Sequence, residues 1–219
     1  MLRNVNCGRP TVSHDLSDLA QRRTISSTFR YRRCSEIFGE NEPAEFVYQI
    51  IEGAVRSYKL LGDGRRQIGA FHLPGDIFGL ENGDRHRFTA EAIVNTEVQL
   101  LRRRGLEEAQ EDALVVLDLL RLTTKNLQHA EDHMLLLGRK TALERVAAFL
   151  IEMDSRLTAA GVMALPMSRS DIADYLGLAL ETVSRELSVL HTEGVITFLG
   201  KTQRHVVLLD RNKLTKMNA

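Results

Sequence analysis

The segment LPMSRSDIADYLGLALETVSRELSVLHTEGVI, residues Leu165 to Ile196, carries two helix signatures separated by a glycine. Ser168 followed three residues later by Asp171 is a capped helix start, because a hydroxyl and a carboxylate satisfy the first-turn amides. Ile172, Ala173 and Leu176 then share one apolar face, and Gly177 stops the helix. The spacing predicts a second helix over about Leu180 to His191 that buries Val183, Leu187 and Leu190. Its opposite face carries Glu181, Ser184 and Arg185 at i, i+3 and i+4, so all three point one way near the N-terminus. That is the geometry of a recognition helix entering the major groove. Arg reads guanine in bidentate fashion, Glu accepts from the cytosine amino group, and Ser serves either as donor or acceptor.

A helical hairpin in an ordinary core, with Glu181 and Arg185 as a surface pair, is the competing account. The chain beyond Gly194 weighs against it. The runs VITFL and HVVLL flank GKTQR, and two β-rich runs about a Gly-containing turn make a hairpin. A hairpin directly after a recognition helix is the wing of a winged helix. Lys201 and Arg204 at its tip, with Arg169 and Ser170 at the first helix, suit phosphate contacts, which position a protein without reading sequence.

Upstream of about Leu101 the pattern is of short strands. The candidates are Glu36–Gly39, Phe46–Ile51, Ala54–Leu60, Gln67–His72, Phe88–Val94 and Val98–Leu101. Turn signals at Glu52-Gly53, Gly62-Asp63-Gly64, Pro74-Gly75-Asp76 and Asn82-Gly83-Asp84 separate them. Regular short strands predict a small barrel or jelly roll. From about Leu106 to Leu137 the chain turns helical. Val116, Leu120, Thr123, Leu127, Ala130, Met134 and Leu137 step by four and three without a charge, a seam that suits a parallel pairing of two subunits. Leu117, Leu119 and Leu135 lie off the seam and are expected to face the barrel. Gly138-Arg139-Lys140 reads as a hinge, and a further helix over about Thr141 to Leu157 leads into the DNA-binding unit.

The expected organisation is therefore α+β. An irregular arm spans residues 1–28, a β-roll 29–105, a dimerisation helix 106–137 and a winged helix-turn-helix 138–219. No apolar run is long enough to span a bilayer, and the N-terminus MLRNVNCGRP lacks the apolar region of a secretory signal, so a cytoplasmic location is expected. The chain has 29 Lys and Arg against 29 Asp and Glu. From Ser168 onward, Arg169, Arg185, Lys201, Arg204, Arg211, Lys213 and Lys216 face Asp171, Asp174, Glu181, Glu186, Glu193 and Asp210. A non-specific DNA coater is far more basic, so the balance favours a sequence-specific reader that needs two copies to bind well.

Other chemistries find little support. Only Cys7 and Cys34 are present, too few for a four-thiolate cluster or a usual structural zinc site. Oxidation of Cys34 stays open as a modulator. Phosphate-loop, nucleophile-elbow and zinc-protease motifs are absent, and the acids Glu107, Glu108, Glu111 and Asp112 suit a helix dipole. No enzyme is expected. His129 and His133 stand at i,i+4 without a third ligand in register, which favours a helix face over a metal site; His72 or His86 would be the residues to invoke for haem.

A roll, a long dimer helix and a C-terminal winged helix, in that order, resemble the Crp–Fnr superfamily of bacterial transcription regulators. The segments MSRSDIADYLGLALETVSREL and VYQIIEGAVRSYKLLGDGRRQIGAFHLPGDIFGLE are similar to its FixK branch. The resemblance implies a cyclic-nucleotide-binding-like roll and a homodimeric activator of genes for low-oxygen life and nitrogen fixation. It implies base reading of a palindrome with TTGAT half-sites by Glu181, Ser184 and Arg185. Leu180 lies beside the trio, where it would meet a thymine methyl. It also implies contact with RNA polymerase, placed here on exposed loops such as Leu61–Arg66. Oxygen-sensing Fnr proteins carry a cluster on four cysteines, which this chain cannot do. Cyclic-AMP-binding relatives hold the nucleotide with a Gly-Glu turn and an Arg-Ser pair. Here Asp76 stands in that turn and Arg87-Phe88-Thr89 replaces Arg-Ser-Ala, so a non-functional pocket and no cofactor are expected. Oxidation-controlled FixK relatives bear a cysteine where this chain has Ser168. The alternative is an effector-gated member of the same superfamily, sensing a cyclic nucleotide or haem.

Overall fold

A computed structural model describes residues 27–108, 113–200 and 202–218. Most of the expected arm with Cys7, the acids Glu111 and Asp112, and Lys201 lie outside the described residues. Strands β1 (Ser27–Tyr31), β2 (Glu36–Phe38), β3 (Phe46–Glu52), β4 (Val55–Leu60), β5 (Arg66–His72), β6 (Ile77–Phe78), β7 (Thr89–Ala92) and β8 (Thr96–Arg102) build the roll. They form two antiparallel sheets in the orders β1-β8-β3-β6 and β2-β7-β4-β5. The inner faces meet at Phe38, Val55 and Ala90 from one sheet and Tyr48, Ile50, Phe78, Val98 and Leu100 from the other. Alternation along a strand sends the next residues outward. Val47, Ile77 and Leu101 accordingly pack outside the first sheet.

Helix α1 (Arg103–Glu108) follows β8, and α2 (Ala113–Arg139) is the long helix. Leu119 and Leu122 of α2 cover Val47, Ile77 and Leu101. Leu119 thus faces the roll as expected, whereas Leu117 and Leu135 are exposed. Helix α3 (Ala142–Leu157) opens with a capping box between Thr141 and Glu144, two first-turn amides satisfied reciprocally. The C-terminal unit then comprises a short hairpin of β9 (Thr158–Ala159) and β10 (Val162–Ala164), helices α4 (Arg169–Leu176) and α5 (Leu180–Thr192), strands β11 (Ile196–Leu199) and β12 (His205–Leu208), and α6 (Arg211–Met217). Its sheet runs β11-β12-β10-β9.

Several details differ from the sequence expectation. Strand β1 begins inside the span assigned to the arm, since its pairing to β8 is non-local. Strands β6, β9 and β10 have two or three residues, too few to show a period. More important, the roll and the C-terminal unit share one apolar core. Ile68, Phe71 and Leu73 on the outer face of the second sheet join Phe149, Met153, Tyr175 and Leu176. The Phe71 ring lies 5.0 Å from that of Tyr175 and 6.3 Å from that of Phe149. No helix among the described residues is long and apolar enough to cross a membrane.

The β3–β4 hairpin depends on Gly53, whose φ is +98°. A Cβ there would lie 2.7 Å from the Asn95 carbonyl oxygen and from the Thr96 Cα, and backbone cannot swing away as a side chain can. Gly53→Ala should therefore destabilise the chain by at least ~2 kcal/mol, strain and overlap combined, read as a lower denaturant midpoint. Gly64, also at positive φ but with open space around it, should cost only ~1 kcal/mol as alanine.

Candidate nucleic-acid interface

Helix α4 begins at the Ser168 cap. The Asp171 amide donates to Ser168 Oγ at 3.1 Å, and the Ser168 amide donates to Asp171 Oδ2 at 3.0 Å. It ends at Gly177, whose φ of +61° is left-handed and suits glycine at a helix C-terminus. Three residues later α5 starts. Ile172, Ala173 and Leu176 of α4 and Val183, Leu187 and Leu190 of α5 are buried together. That burial turns the other face of α5 outward. Glu181 and Arg185 are exposed, Ser184 is half-buried and Leu180 is 44 % exposed.

Arg185 is bonded to its neighbour on the same helix. Its Nε and Nη2 donate to Glu186 Oε1 at 3.2 and 3.0 Å. The guanidinium is two-thirds exposed and the Glu186 carboxylate is largely covered, so the acid holds the Arg from beneath. Sequence reasoning counted Glu186 only as a negative charge; its adjacency to Arg185 was the available signal. Arg169 lies against the wing. Its guanidinium meets Gln203 Oε1 and sits 5.7 Å from the Phe198 ring centre. Ser170 is exposed. Arg204 is half-buried and turned inward, with Nη1 donating to the Pro166 carbonyl at 3.4 Å.

Along α2, Val116, Leu120, Thr123, Leu127, Ala130 and Met134 are all exposed. Leu137, the last of the seam, is half-buried against this chain's own core and lies next to Gly177. His129 and His133 both turn toward neighbouring elements. His129 Nε2 is 3.2 Å from Glu152 Oε1 of α3. His133 Nε2 is 2.9 Å from the Tyr175 carbonyl of α4, and its ring stacks on that of Tyr175 at 4.2 Å. Among the described residues no group of His, Cys, Asp and Glu could hold a metal ion.

Two of the positions expected to matter for a cyclic nucleotide, Asp76 and Thr89, are engaged within the chain. Asp76 Oδ2 accepts from the Leu73 amide at 2.9 Å and also meets the Arg156 guanidinium of α3. Thr89 Oγ1 accepts from the Glu40 amide at 3.0 Å, and Arg87 is exposed. Inside the roll, Phe38 stacks on His86 at 3.5 Å and Phe78 stacks on Tyr48 at 5.2 Å. A sugar and a phosphate need unengaged polar groups around an open cradle, and Asp76 and Thr89 are already bonded within the chain.

A roll packed on a winged helix, with an outward helix face bearing Glu181, Ser184 and Arg185, defines a helix-turn-helix regulator. Residues 144–217 match the Crp-like helix-turn-helix domain, and residues 28–112 match the cyclic nucleotide-binding domain. The nitrogen fixation regulation protein FixK of Azorhizobium caulinodans is 45 % identical over 195 residues, which cover 86 % of this chain and 78 % of that protein. The transcriptional activatory protein AadR of Rhodopseudomonas palustris is 42 % identical over 180 residues, 80 % of this chain and 75 % of that one. The solved structure of FixK2 from Bradyrhizobium japonicum superposes with a TM-score of 0.86 at 62 % identity, covering 89 % of this chain and 98 % of that one. The chain belongs to the Crp–Fnr family, among the FixK-type regulators. Those relatives are named as transcriptional regulators, in line with the absence of catalytic motifs.

The histidines around the roll–α3–α4 junction give the fold an acid sensitivity. Burial pushes His72 down to about 4 and also lowers His133. His72 is neutral in the folded chain near pH 6, where an unfolded histidine already takes up protons, and the lowered His133 acts in the same direction. Stability should therefore fall as pH drops below about 6.5, with the His72 contribution fully lost near its folded value. Burial opposes ionisation of Asp171, but bonds from Ser168 and the nearby Arg56 and Arg66 hold its carboxyl below the usual range. Stability from Asp171 is present above the ordinary carboxylate range and is lost only at still lower pH. Thermal midpoints should decline in two stages on acidification, and His72→Gln should flatten the first stage while leaving the second.

Proposed function

We propose that this chain is a homodimeric, sequence-specific transcriptional activator that binds a palindrome with TTGAT-type half-sites and controls genes for low-oxygen metabolism and nitrogen fixation. The carrying observation is the outward face of α5, where Glu181 and Arg185 stand exposed on a helix whose other side is fixed in the core. Glu181, Ser184, Arg185 and Leu180 read bases. Arg169 and Ser170 contact phosphates, with Lys201 and Arg204 of the wing contributing beside them. The exposed residues from Val116 to Met134 pair with their equivalents in a second copy, since such an apolar stripe is otherwise costly to leave in water. Two-fold symmetry then places the two α5 helices in successive major grooves, ~34 Å apart. The internal engagement of Asp76 and Thr89 supports activity without a cyclic nucleotide, and the cysteine count argues against an iron–sulfur cluster. The cell interior, where DNA and RNA polymerase reside, is the place of action. Of the stretch Leu61–Arg66, residues 61–65 are exposed and suit a polymerase contact. Arg66 does not, being turned toward Asp171 and Asp174.

Selection from random duplexes tests this reading: enrichment of a TTGAT-type palindrome supports it, and no enriched sequence overturns it. Arg185→Ala should cost ~1–3 kcal/mol per half-site and relax choice at the guanine. Arg169→Ala should weaken all duplexes alike and reduce the salt dependence of binding. Leu127→Glu should give monomers by sedimentation, with folded circular dichroism retained and DNA affinity lost.

A further inference from the structure

Helix α4 is gripped at both ends by residues outside the C-terminal unit. At its N-terminus Asp171 divides its two oxygens. Oδ2 accepts from the Ser168 amide at 3.0 Å and from the Ser168 hydroxyl at 2.7 Å. Oδ1 accepts from Arg56 Nη1 at 2.8 Å and from Arg66 Nη2 at 2.7 Å. Arg56 is itself anchored in the sheet, Nη2 lying 2.6 Å from Glu91 of β7. Arg66 also reaches Asp174 with Nε at 2.8 Å and lies 5.5 Å from the centre of the Tyr58 ring. At the C-terminal turn, Gln67 Nε2 donates to the carbonyls of Asp174 and Tyr175 at 2.8 and 3.3 Å.

We propose that Arg56, Arg66 and Gln67 are positioning residues that set the angle of α4 on the roll, and so the separation and phase at which two paired α5 helices meet DNA. The inference rests on the homodimeric DNA-binding reading above. Three features support it. First, the apolar contact of Phe71 with Tyr175 helps hold the two units together, but the hydrophobic attraction behind it is not directional. Arginine forks on carboxylates are directional. Second, Arg56 and Asp171 are 12 % and 5 % exposed. Ion pairs in so dry a place add little net stability and are best justified by the arrangement they impose. The Arg56 Nε even lacks a partner while buried, an unfavourable feature that a purely stabilising contact would not need. Third, α4 and α5 share one core, so an angle set on α4 passes to the reading face of α5.

The consequence is measurable because DNA is helical. Moving one half-site by a single base pair shifts it ~3.4 Å and rotates it ~34°. Only a unit held at a fixed angle penalises that change. The test uses the full chain and the palindrome selected by wild type, with its central spacer kept, shortened or lengthened by one base pair. Wild type should lose about tenfold or more in affinity on either change, equivalent to a lost base contact. The double variant Arg56→Gln, Arg66→Gln keeps the Asp171 helix cap. Its loss on the same change should shrink to about threefold or less, while substitution of the guanine read by Arg185 still carries its full wild-type cost. Asp174→Ala, which removes one of the two carboxylate partners of Arg66, should fall between the two and serves if the double variant folds poorly. A loss of folded protein lowers affinity for every duplex by one factor and leaves the spacer ratio unchanged. Wild-type spacer discrimination in both variants therefore overturns the positioning role while the DNA-binding reading stands. A wild-type chain that enriches no sequence overturns that reading and the positioning role with it.

Discussion

An eight-residue helix cannot satisfy its own ends. Helix α4 has four orphan amides at one end and four orphan carbonyls at the other, which is half of its backbone polar groups. The architecture depends on how those groups are met. Ser168 and Asp171 meet the amides at the start. At the finish, Gln67 of β5, His133 of α2 and Arg145 of α3 each reach a carbonyl of residues 174–176. A strand, the long helix and the connecting helix thus converge on one short element. The roll, the long helix and the helix-turn-helix become one packed body around it, and the outward face of α5 is left open.

The same sharing of surfaces explains the long helix. Its first half covers the outside of the roll through Leu119 and Leu122, and its last turns reach α3 and α4 through His129 and His133. Between those contacts a stripe from Val116 to Met134 faces solvent in the single chain. A helix of 27 residues with apolar groups on more than one side covers one surface within the chain, and the second-copy contact proposed above would cover the other. Leu137 marks where one role ends and the other begins: by periodicity it continues the seam, and in space it packs under Gly177. A 3.6-residue helix drifts from a seven-residue repeat, and here the drift carries the last seam residue into its own core.

Much of this was legible in the sequence where local rules act alone. The Ser168–Asp171 cap, the Gly177 stop, the core faces of α4 and α5, and the long helix all come from spacing and capping chemistry. The roll strands were legible to within a residue or two because turn glycines bracket them. What was not legible is what depends on pairing at a distance. Strand β1 is fixed by β8, about seventy residues away in the chain, and the two-residue β6 has no period to read. The inward turn of Arg204 and the placing of Glu186 beneath Arg185 depend on side-chain packing that residue type alone does not encode. The domain boundary near residue 138 was a reading of helix periodicity, and periodicity carries no information about whether two units share a core.

The charge count shows how such distant pairing changes a functional argument. Summed by segment, the C-terminal unit has nearly as many acids as bases, which argues against a strong attraction to DNA. In space, Asp171 and Asp174 are neutralised from outside the segment by Arg56 and Arg66. Glu186 and Glu193 are paired with Arg185 and Lys213. Charges in direct contact project little field beyond a Debye length of ~8 Å, so they neither repel nor attract a phosphate backbone from afar. What a duplex meets is set by the residues on the open face. There, under the base-reading role proposed for Arg185, exchanging its Glu186 partner for a guanine edge would keep the guanidinium bonded before and after binding. Such an exchange penalises the wrong base, because an Arg that finds no acceptor in the groove does better returning to its own carboxylate. A sequence with no net charge is therefore compatible with the proposed selective reader, since Glu186 is placed to hold Arg185 in position.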